Sequence, residues 1–126
     1  DEIRPRLAEG VHVVSDRYLA SSLAYQSLDA PLDWVRTINA YAPPPDLTLF
    51  LDVPPAVALA RRAERGREER FDALPLQRRI ARRYREVLRC ERGLGQVVVI
   101  DGGRPVREVE ADVKEAVRSL PGLRRL

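Results

Sequence analysis

Three short runs, at residues 11–15, 47–53 and 96–101, are β-branched and apolar along almost their whole length. They lack the alternation of a strand with one wet face, so each reads as a parallel strand covered on both sides. Helical spacing separates them. Apolar residues fall at Val35, Ile38 and Ala42, then at Leu76, Ile80, Tyr84, Val87 and Leu88, and finally at Val106, Val109, Val113, Val117 and Leu120. Strands alternating with helices predict an α/β fold, a parallel sheet flanked by helices. A chain of 126 residues has room for one core and not for two.

Glycine and proline mark the same divisions. Gly10 follows a helix end at residues 7–9, and Pro54 and Pro55 open a helix expected to run to about Arg65, with Gly66 at the cap position beyond it. Pro43, Pro44 and Pro45 stiffen the approach to the middle strand. Residues 67–73 carry charge without an apolar stripe and read as a mobile loop. His12, between valines, is expected to pack, Cys90 to be at least half-buried, and Trp34 and Tyr41 to anchor a helix to the sheet or to a partner.

Composition excludes several classes. No apolar run approaches the ~18–20 residues that span a bilayer, and no segment has the pattern of a signal peptide. Cys90 is the only cysteine, which rules out an internal disulfide or a zinc cluster and predicts a reducing cytoplasm. Of the 22 basic residues only Lys114 is lysine. Arginine offers a planar fork for phosphates and carboxylates, but a genome biased toward arginine gives the same total, so position has to decide. No methionine occurs, even at the first position, which implies that translation begins elsewhere.

The first apolar run leads straight into Asp16, Arg17 and Tyr18. Ligands of open parallel sheets bind outside the carboxyl ends of the strands, so this pair is expected to face such a crevice. The Arg17 guanidinium can hold two phosphate oxygens, and the Asp16 carboxylate can orient a magnesium-bound water. A structural ion pair at a strand end fits the same spacing. Ser21, Ser22, Tyr25 and Gln26 follow within ten residues of Asp16; serines there also cap helices, and a tyrosine on an apolar face also packs.

The stretch GVHVVSDRYLASSLAYQ at residues 10–26 resembles the segment of bacterial thymidylate kinases in which a DRY or DRH motif precedes a serine-rich turn and AYQ. PDLTLFLDV (45–53), RRAERGREERFD (61–72) and VVIDG (98–102) are similar to that family's next strand, arginine-rich lid and final strand, in the family's order. The resemblance implies a P-loop nucleoside monophosphate kinase fold, with an acceptor segment at about 11–42, a lid at about 61–73 and a carboxyl-terminal helix–strand–helix at about 74–120. It implies phosphoryl transfer from ATP, with Mg2+, to dTMP in a cytoplasmic homodimer that binds neither nucleic acid nor membrane. By this resemblance Asp16 helps organise magnesium and phosphates, and Arg17 grips the acceptor phosphate. Ser21 and Ser22 touch the thymine edge, Tyr25 crowds a ribose 2′-hydroxyl, and Gln26 supports the turn. Arg65 lies over adenine, while Arg67 or Arg70 reaches the transferring phosphoryl.

One part of the family pattern is missing. GxxxxGK followed by Ser or Thr, the backbone cradle for donor phosphates, does not occur; Gly93 and Gly95, and Gly102 with Gly103, lack the lysine. The resemblance places that motif in an amino-terminal third bearing two further strands, one of them between the runs at 11–15 and 47–53. The chain alone is therefore expected to be inactive, to leave those runs unpaired with each other, and to need that segment as a companion. A deoxynucleoside kinase of the same superfamily is the nearest competing expectation. A nucleic-acid-binding domain, using the solvated arginines of residues 78–92, is a more distant one.

Overall fold

The computed structural model describes residues 2–64 and 73–123. Its elements run in the order α1 (Ile3–Ala8), α2 (Leu19–Gln26), α3 (Leu32–Ile38), β1 (Leu47–Asp52), α4 (Pro55–Glu64), α5 (Ala73–Cys90), β2 (Gln96–Asp101) and α6 (Val106–Arg118). The strands β1 and β2 pair in parallel, Leu47 opposite Gln96 through Asp52 opposite Asp101. A parallel pair needs a long crossover, and α4 and α5 supply it. Pro55 opens α4 and Pro75 falls in the first turn of α5, positions where the missing N–H is no loss.

Alternation along the strands separates two faces. Phe50 stacks on Tyr84 of α5, and Val97 borders the buried cluster of Leu23, Ala24, Val35, Val87 and Leu94 that joins α2, α3 and α5. Gln96, one residue along and so on the opposite face, donates to the Ser119 hydroxyl just beyond α6 at 3.3 Å. Helices thus cover both faces of the strand pair, as the continuous apolar runs require.

Arginines fasten the layers. Arg83 donates to the Ser27 hydroxyl at 2.8 Å and to its carbonyl at 3.0 Å, and Arg79 donates to the Leu28 carbonyl at 2.6 Å. These contacts satisfy carbonyls and oppose the negative dipole end where α2 finishes. Arg85 pairs with Asp52 at 2.8 Å, and Arg61 donates to the carbonyls of Gly102 and Gly103 at 2.8 and 3.1 Å. Arg79 and Arg85 hold these contacts while staying exposed, as a solvated face over 78–92 predicts, whereas Arg83 is half-buried and departs from that expectation.

The strand expected at 11–15 does not form. Among the described residues the sheet has two members, and Val11 donates its N–H back to Arg6 at 2.9 Å rather than into a ladder. Val14 is 97% exposed. An apolar pattern records what a segment prefers to bury, but a strand exists only where a neighbouring backbone accepts its hydrogen bonds. As expected, the run does not pair with β1. His12 is exposed with the rest of the segment, Cys90 is exposed at the end of α5, and Trp34 and Tyr41 are 57% and 87% exposed. Their expected burial or anchoring to the sheet is corrected accordingly. Val35 takes α3 into the core with Leu32 packed beside it, and the helix ends at Ile38, so Ala42 never joins the same face.

Candidate functional site

Arg17 adopts φ 63°, the only non-glycine described residue with a positive φ. A side chain in the left-handed region costs about 1–2 kcal/mol, and such strain concentrates where function holds it in place. The Ser15 hydroxyl steadies the bend by donating to the Arg17 carbonyl at 3.1 Å. The bend turns the guanidinium over the Tyr25 ring, 5.4 Å from its centroid, a cation–π distance.

Behind this pair stands an aromatic column. Tyr25 meets Tyr84 edge to face, centroids 5.8 Å apart at 87°, and Phe50 stacks on Tyr84 at 5.3 Å and 26°. The hydroxyls of Ser21 and Tyr84 lie 2.6 Å apart. Ser21 and Tyr25, four residues apart on α2, necessarily share a face, and that face meets α5. Burial raises the Tyr84 phenol above its usual value near 10; the Ser21 bond and the Arg17 charge work against this, and Tyr25 and Asp16 reinforce it. Folding therefore favours the neutral phenol. This contribution to stability is complete below the unfolded value and is lost as pH rises through the higher folded one. An alkaline ultraviolet titration is expected to show a phenol ionising above the usual range in the folded protein, and that late phase should vanish in Tyr84→Phe.

The structure thus brings Arg17, Ser21 and Tyr25 together, with Asp16 close enough to act on Tyr84. Ser22 is half-buried one step round α2, and the Gln26 side chain is exposed at the helix end; neither joins the column. Arg65, Arg67 and Arg70 lie outside the described residues. A cavity of about 270 Å³ is lined by Leu19, Leu23, Asn39, Pro44 and Leu94 among others, and one of about 580 Å³ lies beside α1. Neither of these two is lined by Asp16 or Arg17. No strand forms before that pair, so Arg17 and Tyr25 form an open platform.

Sequence reasoning missed Tyr84 and Phe50 as members of this group. Tyr84 sits in the apolar stripe of α5 and Phe50 in a strand, and nothing in their spacing distinguishes a platform from ordinary packing. As for a metal, no cluster of three or more His, Cys, Asp or Glu occurs among the described residues. Magnesium, however, is usually held by one or two carboxylates together with substrate phosphates. A lone carboxylate such as that of Asp16 fits that mode of binding.

Helices on both faces of a parallel strand pair define an α/β protein. The profile of the thymidylate kinase family matches residues 1–113, and the chain belongs to that family. It is 40% identical over 126 residues to a protein named a probable thymidylate kinase from Pyrobaculum calidifontis, covering 98% of this chain and 63% of that protein. A protein of the same printed name from Methanococcoides burtonii is 36% identical over 125 residues, covering 94% of this chain and 61% of the relative. The chain thus spans about three-fifths of the curated relatives it matches. These relatives are archaeal, so the match supports the family and not its bacterial branch.

Proposed function

We propose that this chain is the acceptor and lid portion of a thymidylate kinase that transfers the γ-phosphoryl of ATP to dTMP, giving dTDP and ADP. The observation that carries this reading is the strained Arg17 poised over Tyr25, in a chain of this family. A guanidinium held by an aromatic face presents its planar fork outward, the geometry that grips two oxygens of a phosphate monoester. Asp16 lies beside it as the carboxylate of a partial magnesium site. Magnesium, when bound, neutralises charge on the transferring phosphoryl. Ser21 and Ser22 offer hydroxyls to the thymine edge, Tyr25 crowds a 2′-hydroxyl and so favours deoxyribose, and Gln26 supports the turn. Arg65 covers the adenine, and Arg67 or Arg70 stabilises the charge on the equatorial oxygens.

The donor cradle comes, in this reading, from an amino-terminal segment whose strand lies against β1. Support for it is the unpaired, exposed valine run at 11–15, the unpaired edge of β1 among the described residues and the length of the relatives. A chain of residues 1–126 alone is then inactive. The enzyme is read as a cytoplasmic homodimer, a reading supported by the exposed Trp34 and Ile38 on α3. No helix of the described residues is long and apolar enough to cross a membrane. The contacts that engage Arg79, Arg83 and Arg85 within the chain weigh against a nucleic-acid-binding role for their face.

The test is phosphorylation of dTMP against thymidine by the protein completed with its amino-terminal segment. Turnover of dTMP with ADP release is expected, and thymidine should remain unchanged. Preference for thymidine would identify a deoxynucleoside kinase instead.

A further inference from the structure

We propose that Tyr84 is a positioning residue for the acceptor nucleotide, holding the Ser21 hydroxyl and the Tyr25 ring in the geometry that aims Arg17. This rests on the acceptor-site reading above and deepens it. Three contacts converge on the one side chain. Its hydroxyl lies 2.6 Å from that of Ser21, its edge-to-face partner is Tyr25, and its other neighbour is Phe50 of β1. Tyr84 is thus the link through which α5 and β1 fix the face of α2 that carries Ser21 and Tyr25.

The chemistry follows from the inventory of each group. A serine hydroxyl rotates freely and can donate once while accepting twice. Bonding to Tyr84 removes that freedom, so Ser21 presents one defined direction to a ligand rather than three. The Tyr25 ring is likewise stopped from turning by the ring edge beside it, and the guanidinium above it inherits that orientation. A residue so placed touches no reacting atom. Its effect is on how tightly the acceptor is seated, more than on how fast a seated acceptor reacts.

Its position in the chain adds a consequence. Tyr84 lies on α5, the helix that follows the lid segment of residues 61–73. Movement of α5 along its axis would change the Tyr84–Ser21 distance and the ring contact together, so acceptor seating responds to the packing of this helix.

Tyr84→Phe keeps the ring and removes the hydroxyl. In the completed enzyme it is expected to raise KM for dTMP about fivefold, the effect of losing one neutral hydrogen bond, with kcat and KM for ATP changed less than twofold. Ser21→Ala should raise KM for dTMP at least as much, and the double variant should be no worse than Ser21→Ala alone, because both remove one coupled unit. Tyr84→Leu should bring a larger loss that Tyr84→Phe does not share. The proposal is overturned if Tyr84→Phe leaves KM for dTMP unchanged, if KM for ATP rises equally, or if the two single changes simply multiply. Failure of the acceptor-site reading looks different: the wild-type enzyme itself then neither binds nor phosphorylates dTMP, and the proposal falls with it. Should Tyr84→Leu not fold, Tyr84→Phe and Ser21→Ala still decide the matter.

Discussion

Replacing Arg17 with glycine is expected to lower kcat/KM for dTMP by about 10²–10⁴-fold in the completed enzyme while leaving the stability of the fold almost unchanged. The first effect comes from the fork. Two charge-assisted hydrogen bonds to a phosphate contribute about 1.5–3 kcal/mol each, and glycine removes both. The second comes from the backbone. Arg17 holds φ 63°, which costs an arginine about 1–2 kcal/mol and a glycine almost nothing, while glycine loses about 0.5–1 kcal/mol through its greater freedom when unfolded. The backbone balance is therefore between zero and about 1.5 kcal/mol in favour of the variant, and the lost cation–π contact, about 0.5–1 kcal/mol, brings the net change close to zero. Arg17→Lys should recover little of the activity, because a point charge cannot make the paired contact. Steady-state kinetics and thermal unfolding measured on the same samples check both halves. Loss of stability equal to the loss of activity would mean that Arg17 is merely structural.

Gly95→Ala is expected to prevent folding or to lower stability by about 4 kcal/mol or more, among the largest effects a single methyl group can have. Gly95 holds φ 64°, and a Cβ there would lie 2.1 Å from the Pro45 carbonyl oxygen and 2.7 Å from that of Asp46. Both are backbone atoms and neither can swing aside. The same turn starts the parallel ladder, with the Gln96 N–H donating to the Asp46 carbonyl at 3.0 Å and the Thr48 hydroxyl to the Leu94 carbonyl at 2.7 Å. Moving Pro45 to admit the methyl group would therefore separate the two strands where they begin, beside the fully buried Leu94. Circular dichroism and urea unfolding measure this directly. A variant with a midpoint close to wild type would show that the approach of the two turns is not rigid.

The strands at β1 and β2 and the stripes of α5 and α6 were legible because burial of a whole element leaves a period in the sequence. Leu47–Asp52 departs from the expected run by a single residue, and Gln96–Asp101 matches it. The segment at 11–15 carries the same apolar signal, yet exposes Val14. Its pattern states a preference that only a neighbouring strand can satisfy. The site divides in a similar way. Arg17, Ser21 and Tyr25 stood out because the whole string at residues 10–26 resembles a family segment; taken singly, a capping serine and a packed tyrosine explain Ser21 and Tyr25 as well. Tyr84 did not, since its partners lie 59 and more residues away in sequence on α2 and 34 away on β1, and nothing local records such a meeting. Arg79 and Arg83 read as surface charge for the same reason: the carbonyls they hold at the end of α2 are distant in sequence.

Equilibrium binding of dTMP and thymidine to the completed protein, wild type and Arg17→Gly, probes the seating of an acceptor phosphate without depending on turnover. The wild type should bind dTMP far more tightly than thymidine, and Arg17→Gly should bind the two almost equally, because the ligands differ only in the group the guanidinium grips. Equal affinities in the wild type, or a preference for dTMP that survives the substitution, would contradict the account.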